Sequence, residues 1–99
     1  MNRKNKSTPY QLVPYAKLLK PYGRFGELKI QLFNSNSKLL EPGMEVWIER
    51  PGGKHVPYII KNVSLGVSLN KVQLKSVSSR LRASDFVNKK IYLNRALLP

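Results

Sequence analysis

Basic and aromatic side chains alternate between Tyr15 and Phe25. Eleven positions hold Tyr15, Lys17, Lys20, Tyr22, Arg24 and Phe25. Lysine and arginine contact phosphates, and aromatic rings stack on unpaired bases, so this combination suits nucleic-acid binding. The alternative is structural: Tyr15 and Phe25 would lie in a hydrophobic core while the lysines coat the outside of a strand. For each ring taken singly, we favour the core.

Residues for catalysis are scarce. His55 is the only histidine and Asp85 the only aspartate, and a serine triad needs both in contact with a nucleophile. A single histidine beside a Gly-Gly turn is usually a solvated surface residue. Glu41, Glu45 and Glu49 lie in or beside one strand-and-turn segment, where we expect them to serve solubility rather than paired acid–base chemistry. The sequence therefore predicts a protein that is not an enzyme.

Glycine motifs and metal ligands are incomplete as well. Gly52-Gly53-Lys54 lacks the spacing of a P-loop, and Gly23-Arg24-Phe25-Gly26 lacks the third glycine and the following helix of a dinucleotide motif. With no cysteine and one histidine, the chain offers few ligands for a transition metal. We expect no cofactor and no bound metal.

The charge points to an anionic partner. Among 99 residues, 18 are Lys or Arg and 5 are Asp or Glu, which gives a formal charge of +13. Such an excess repels itself and lowers stability unless a partner neutralises it. The cations follow strand-like segments rather than one amphipathic helix, so nucleic acid is favoured over a membrane surface. The alternative is an incidental charge on a highly soluble domain.

Short apolar runs separated by turn residues predict an all-β barrel or sandwich from Tyr10 onward. Alternation is clearest over residues 27–33, where Leu28, Ile30 and Leu32 would face the core. Further strands are predicted over residues 44–50, 56–65, 71–75 and 90–93, with a hairpin turn at 51–53. In the second of these the alternation slips at Lys61-Asn62, where a bulge would turn the following apolar residues toward the core.

One short helix is predicted before the last strand. Ser79 can cap it, and Ala83, Phe86 and Val87 share one face at helical spacing. Asn88 can adopt the left-handed conformation that ends a helix. We expect this helix to plug one end of the barrel.

The amino terminus differs from the rest of the chain. Residues 1–9 contain Arg3, Lys4 and Lys6 among polar residues and show no apolar periodicity, so we predict a flexible basic arm. Residues 10–99 have the length of one domain. The absence of cysteine, of a bilayer-length apolar run and of a signal-peptide pattern predicts a cytoplasmic protein.

The segment from Lys20 to Ile30, KPYGRFGELKI, resembles the opening signature of the ribosome maturation factor RimM family, in which a Gly-x-x-Gly-acidic turn follows strand one. Leu40-Glu41-Pro42-Gly43, and the order of helix, strand and final Leu97-Leu98-Pro99, strengthen a resemblance that covers about residues 13–99. Two positions depart from the family. Asn88 stands where Gly is usual. Between the two glycines of the turn, the family usually has an aliphatic residue followed by a basic one, whereas here Arg24 precedes Phe25. This inversion would exchange which of the two side chains faces the core.

The resemblance implies a six-stranded barrel of the translation-factor and reductase type that assists maturation of the small ribosomal subunit. Family members bind the nineteenth small-subunit protein, in the subunit head, and promote rRNA processing and head assembly. They continue into a second barrel of the PRC type, which we expect to be absent here because the sequence stops at Pro99. We expect a monomer whose partners are the small subunit, that protein and possible direct contacts with rRNA.

Ten positions are candidates for the functional surface. Those expected to bind RNA or a partner are Lys17, Lys20, Tyr22, Arg24, Lys29, Arg80 and Arg82; those expected to form a structural turn are Gly23, Gly26 and Glu27. The two glycines should adopt backbone angles that a side chain would strain. The alternatives to a transient assembly factor are a permanent ribosomal or general RNA-binding barrel and a reductase-like barrel that binds a flavin.

Overall fold

The computed structural model describes residues 11–34 and 38–97, which form a closed six-stranded barrel. Its strands are β1 (Leu12–Tyr22), β2 (Glu27–Leu32), β3 (Glu45–Arg50), β4 (Lys54–Leu65), β5 (Asn70–Leu74) and β6 (Lys90–Asn94). They lie in the order β1-β2-β5-β4-β3-β6, and every neighbouring pair is antiparallel. The predicted barrel is confirmed. The arm predicted over residues 1–9 lies outside the described residues.

Alternation along the strands fills the barrel interior. As predicted, Leu28, Ile30 and Leu32 of β2 are buried, and Val72 and Leu74 of β5 belong to the same core cluster. Full burial of such a side chain stabilises a protein by about 1.5–3 kcal/mol. This apolar interior is therefore the main source of the stability that holds the surface residues in place.

Register shifts let the strands bend around the small barrel. On β4 the pairing with β5 shifts between Ile60 and Asn62, at the predicted bulge, and Val63 and Leu65 pack against the core. The long strand β1 carries two further shifts, one against each neighbour. Because an extra residue increases the local twist and bend of a strand, such shifts allow the six strands to close into a barrel.

A short helical segment precedes the last strand. It consists of α1 (Arg80–Ala83) and a 3₁₀ helix (Ser84–Phe86). The Ser79 hydroxyl accepts a hydrogen bond from the Arg82 backbone N–H at 3.2 Å, so the predicted N-cap is confirmed. No helix among the described residues is long and apolar enough to span a membrane.

The end of this segment departs from the prediction. Ala83 and Phe86 are buried in the core cluster, but Val87 is extended, with φ −62° and ψ 135°, and does not continue the helical face. The departure follows from the tighter 3₁₀ geometry, which ends the helix at Phe86. Asn88 takes the left-handed conformation, with φ 68°, one residue later.

The aromatic residues divide between core and surface. Tyr15 is buried, and its hydroxyl accepts a hydrogen bond from the Leu39 backbone N–H at 3.0 Å. The core location favoured for Phe25 is wrong, because this side chain is 69% exposed, and Tyr22, a candidate for binding, is 37% exposed. Phe25 lies on a turn outside the barrel, and Arg24 beside it is exposed too, so neither faces the core.

Candidate nucleic-acid interface

The turn after β1 is fixed to the start of α1, although the two are far apart in sequence. The Arg80 guanidinium donates from Nη1 to the Gly23 carbonyl oxygen at 2.8 Å. The Arg80 backbone N–H donates to the Arg24 carbonyl oxygen at 3.2 Å. These bonds bring Arg24, Phe25, Arg80 and Leu81 to one place, which we call the turn–helix corner.

Beneath this corner, a buried glutamine supports the turn. The Gln73 side-chain amide donates to the Phe25 carbonyl oxygen at 2.7 Å and to the Val77 carbonyl oxygen at 3.1 Å. Its own carbonyl oxygen accepts from Asn62 at 3.4 Å. Alternation along β5 places Gln73 on the outside of the barrel, yet it is only 6% exposed, because the turn covers it. The backbone of Phe25 is therefore anchored while its ring remains outside.

Gly23 and Gly26 both adopt left-handed backbone angles, with φ +76° and +98°, as predicted for a structural turn. Gly26 has a second constraint, since a Cβ added there would overlap the Val77 carbonyl group, with the carbonyl carbon at 2.8 Å. Glycine lets the two backbones pack directly. The close approach of the turn to residues 77–78 thus depends on this one position.

The outer surface of the corner combines cations with apolar groups. Phe25 and Leu81 are 69% and 81% exposed, and Arg24 and Arg80 are exposed beside them. Large apolar side chains that remain in water on a small domain mark interaction surfaces when they occur together. An exposed ring among guanidinium groups can stack a base while the arginines meet the phosphates of the same strand.

A second group of candidate residues lies on the outer face of β1, β2 and β5. The Tyr22 ring centroid is 4.7 Å from Lys71 Nζ and 5.7 Å from Lys29 Nζ, and Lys71 Nζ also lies 3.5 Å from Glu27 Oε1. We call Tyr22, Glu27, Lys29 and Lys71 the lysine–tyrosine face.

Like charges meet on this face. Lys29 and Lys71 are direct cross-strand partners, an arrangement that destabilises a sheet. The Tyr22 ring and the Glu27 carboxylate offset part of that repulsion. Lys71 was not among the sequence candidates. It occupies an outward position in the alternation of residues 71–75, but only the pairing of β2 with β5 shows that it lies beside Tyr22.

The remaining candidates are dispersed. Lys17 lies on β1 between Gln31 of β2 and Lys90 of β6, and Lys20 is exposed where the β1 register shifts. Arg82 lines a cleft together with Arg50, which sequence reasoning also missed. The seven binding candidates thus occupy several parts of the surface rather than one continuous patch.

His55 packs against an aromatic ring, whereas Asp85 is exposed and contacts Arg50 through its backbone. His55 is half-buried rather than solvated, and its ring meets the Tyr92 ring edge-on at 4.6 Å between centroids. The Asp85 backbone oxygen accepts a hydrogen bond from Arg50 at 3.2 Å. Within the described part of the chain, no group of three or more His, Asp or Glu residues could hold a metal ion.

Comparison with known proteins gives a family match. The family model of the RimM N-terminal domain matches residues 13–98, and no curated protein matches the chain. The structure is similar to that of a putative 16S ribosomal RNA processing protein RimM from Pseudomonas aeruginosa, with a TM-score of 0.69 and 24% sequence identity. The match covers 90% of this chain and 54% of that protein, so the chain spans about half of its length. At 24% sequence identity, this similarity shows that the two proteins share a fold.

Proposed function

Since the chain belongs to the family of RimM N-terminal domains, we propose that it takes part in ribosome maturation by binding the immature small ribosomal subunit through rRNA. Its role is to bind and to assist rRNA processing and head assembly, without catalysis. The family membership and the description of the similar Pseudomonas aeruginosa protein as a 16S rRNA processing protein support this proposal.

The structure of the turn–helix corner is the main observation that supports a direct contact with rRNA. Its exposed Phe25 ring lies on an anchored turn next to two arginines. A ring held in this way loses little freedom when a base stacks on it, and the nearby cations add phosphate contacts whose strength depends on salt. The lysine–tyrosine face adds Lys29 and Lys71, which an RNA backbone would neutralise.

A contact with the nineteenth small-subunit protein follows from the family resemblance and is the second part of the proposal. This contact and the rRNA contact can exist together, because the candidate residues lie on more than one side of the barrel. Copurification of that protein with the chain, after nuclease treatment, would test the protein contact separately from the RNA contact.

Sucrose-gradient sedimentation of cell extracts tests the function. An assembly factor sediments with free small subunits and is absent from polysomes. A stoichiometric presence on translating ribosomes would instead identify a permanent ribosomal protein and contradict the proposal. A reductase-like barrel is tested with the purified protein, which would be yellow with bound flavin, whereas we expect absorbance from the aromatic residues alone.

A further inference from the structure

A cleft of about 190 Å³ lies beside the helical segment, apart from the turn–helix corner. The residues around it include two arginines, one aspartate, two residues with hydroxyl groups and two apolar residues. The lining residues are Arg50, Tyr58, Ser76, Val77, Arg82, Asp85 and Phe86. The side chains in this cleft are those that bind a small anion.

Arg50 is held in position in this cleft. Its guanidinium carbon lies 4.5 Å above the centroid of the Phe86 ring, and Nη1 donates to the Asp85 carbonyl oxygen at 3.2 Å. Phe86 is itself buried and meets the Tyr58 ring edge-on at 5.3 Å. A guanidinium fixed by stacking and by one hydrogen bond keeps its other N–H groups for an anion and loses little entropy on binding.

The charges of the cleft match a monoanion. Arg50 and Arg82 contribute +2 and Asp85 contributes −1, which leaves +1. Within residues 11–34 and 38–97, the single ion pair joins Lys71 and Glu27, so Asp85 forms no ion pair with either arginine. A phosphodiester carries one negative charge and would make the cleft neutral, whereas a phosphomonoester carries about −1.5 to −2 and would leave an excess.

We propose that the cleft binds one phosphodiester group of a single-stranded RNA between Arg50 and Arg82, an inference that rests on the proposed RNA-binding function. Its volume of about 190 Å³ suits a phosphate group and part of its sugar but not a duplex. Arg80 of the turn–helix corner and Arg82 of the cleft are two residues apart on α1. Because residues two apart on a helix point to different sides, one RNA strand would contact both by passing around the start of α1.

The test measures binding of a ten-nucleotide single-stranded RNA by fluorescence anisotropy over a range of salt concentrations. Arg50→Gln and Arg82→Gln should each weaken binding and flatten the slope of log affinity against log salt by up to about 0.7. Because both arginines hold the same phosphate, the double variant should also flatten it by about 0.7, whereas two separate phosphate contacts would give about 1.4. Asp85→Asn should strengthen binding.

The matched control is Arg95→Gln, which removes an exposed arginine outside the cleft. If Arg50→Gln and Arg82→Gln behave like this control while an Arg24→Gln variant loses affinity, the cleft proposal is wrong and the proposed function stands. If the unchanged protein binds no RNA, the proposed function itself fails. Arg82 is exposed, so its variant remains informative even if Arg50→Gln, which loses the contact with Phe86, impairs folding.

A second comparison identifies the phosphate. RNA with a 5′-hydroxyl and RNA with a 5′-phosphate should bind equally well, and Arg50→Gln should weaken both to the same extent. If the 5′-phosphate strengthens binding and Arg50→Gln abolishes that gain, the cleft holds a terminal phosphomonoester and the phosphodiester assignment is wrong.

Discussion

Two turns of the barrel both depend on glycine but have different surroundings. The turn at Gly23–Gly26 and the hairpin turn at Pro51–Gly53 both contain two glycines with positive φ. The first packs against residues 77–78 and is bonded to Gln73 and Arg80. A Cβ added at Gly52 or Gly53 would meet no atom within 4 Å. The first turn is part of the packed structure, whereas the second only connects two strands.

This difference shows how a surface turn becomes a binding element. The hairpin turn needs glycine for its backbone angles alone, because no neighbouring atom approaches the position of an added Cβ. The Gly23–Gly26 turn is attached to two other segments, and Phe25 can stay exposed without losing its position. We infer that the two turns differ in preorganisation. The variants below compare the Gly23–Gly26 turn, which we call the attached turn, with the hairpin turn at Pro51–Gly53.

The largest effect is expected from Gly26→Ala compared with Gly52→Ala. A methyl group at Gly52 costs about 1–2 kcal/mol through its left-handed backbone angle. At Gly26 the same strain is joined by overlap with the Val77 carbonyl, so we expect a loss of at least about 3 kcal/mol. Chemical denaturation measures both. Equal losses in the two variants would show that the Gly23–Gly26 turn does not pack as described.

A smaller effect on stability is expected from Gln73→Leu. The variant leaves the carbonyl oxygens of Phe25 and Val77 without their buried donor, which should lower the free energy of unfolding by about 2 kcal/mol. The control is Gln31→Leu, at an exposed outward position of β2, which should change stability by less than about 0.5 kcal/mol. If Gln73→Leu is as stable as this control, the Gln73 side chain does not support the turn.

A further comparison of variants concerns cationic side chains and measures RNA binding instead of stability. Replacing Lys17, Lys20 and Arg24 with Ala should flatten the salt dependence of rRNA affinity by up to about 3 units, at about 0.7 to 0.9 for each phosphate contact that is lost. The control replaces Lys54, Lys61 and Arg95, three exposed cations that belong neither to the Gly23–Gly26 turn nor to α1. Filter binding at several salt concentrations measures the slopes, and equal slopes would mean that net charge rather than position governs binding.

Sequence patterns predicted the interior of the barrel well. Apolar alternation identified Leu28, Ile30 and Leu32 as core residues, and the slip at Lys61-Asn62 identified the bulge. Ser79 was recognised as a cap because its side chain meets a need that every helix start shares. These features depend on neighbours in the sequence, and a local pattern is enough to find them.

Sequence patterns could not predict contacts made across the barrel. Alternation placed Gln73 outside, but the turn that buries it comes from residues about fifty positions earlier. For the same reason Lys71 was not linked to Tyr22, nor Arg50 to Arg82. Phe25 was assigned to the core because aromatic rings are usually buried, whereas the turn fixes its backbone and leaves its ring in water.

The most direct test of RNA binding at the attached turn compares Phe25→Ala with Phe33→Ala. Both rings are largely exposed, at 69% and 51%, and neither variant should alter folding. Base–aromatic stacking contributes about 1–3 kcal/mol per base, so Phe25→Ala should weaken affinity for a small-subunit rRNA fragment about tenfold or more at constant salt. Phe33→Ala should bind like the unchanged protein. Equal affinities for the two variants would contradict an RNA contact at the turn–helix corner.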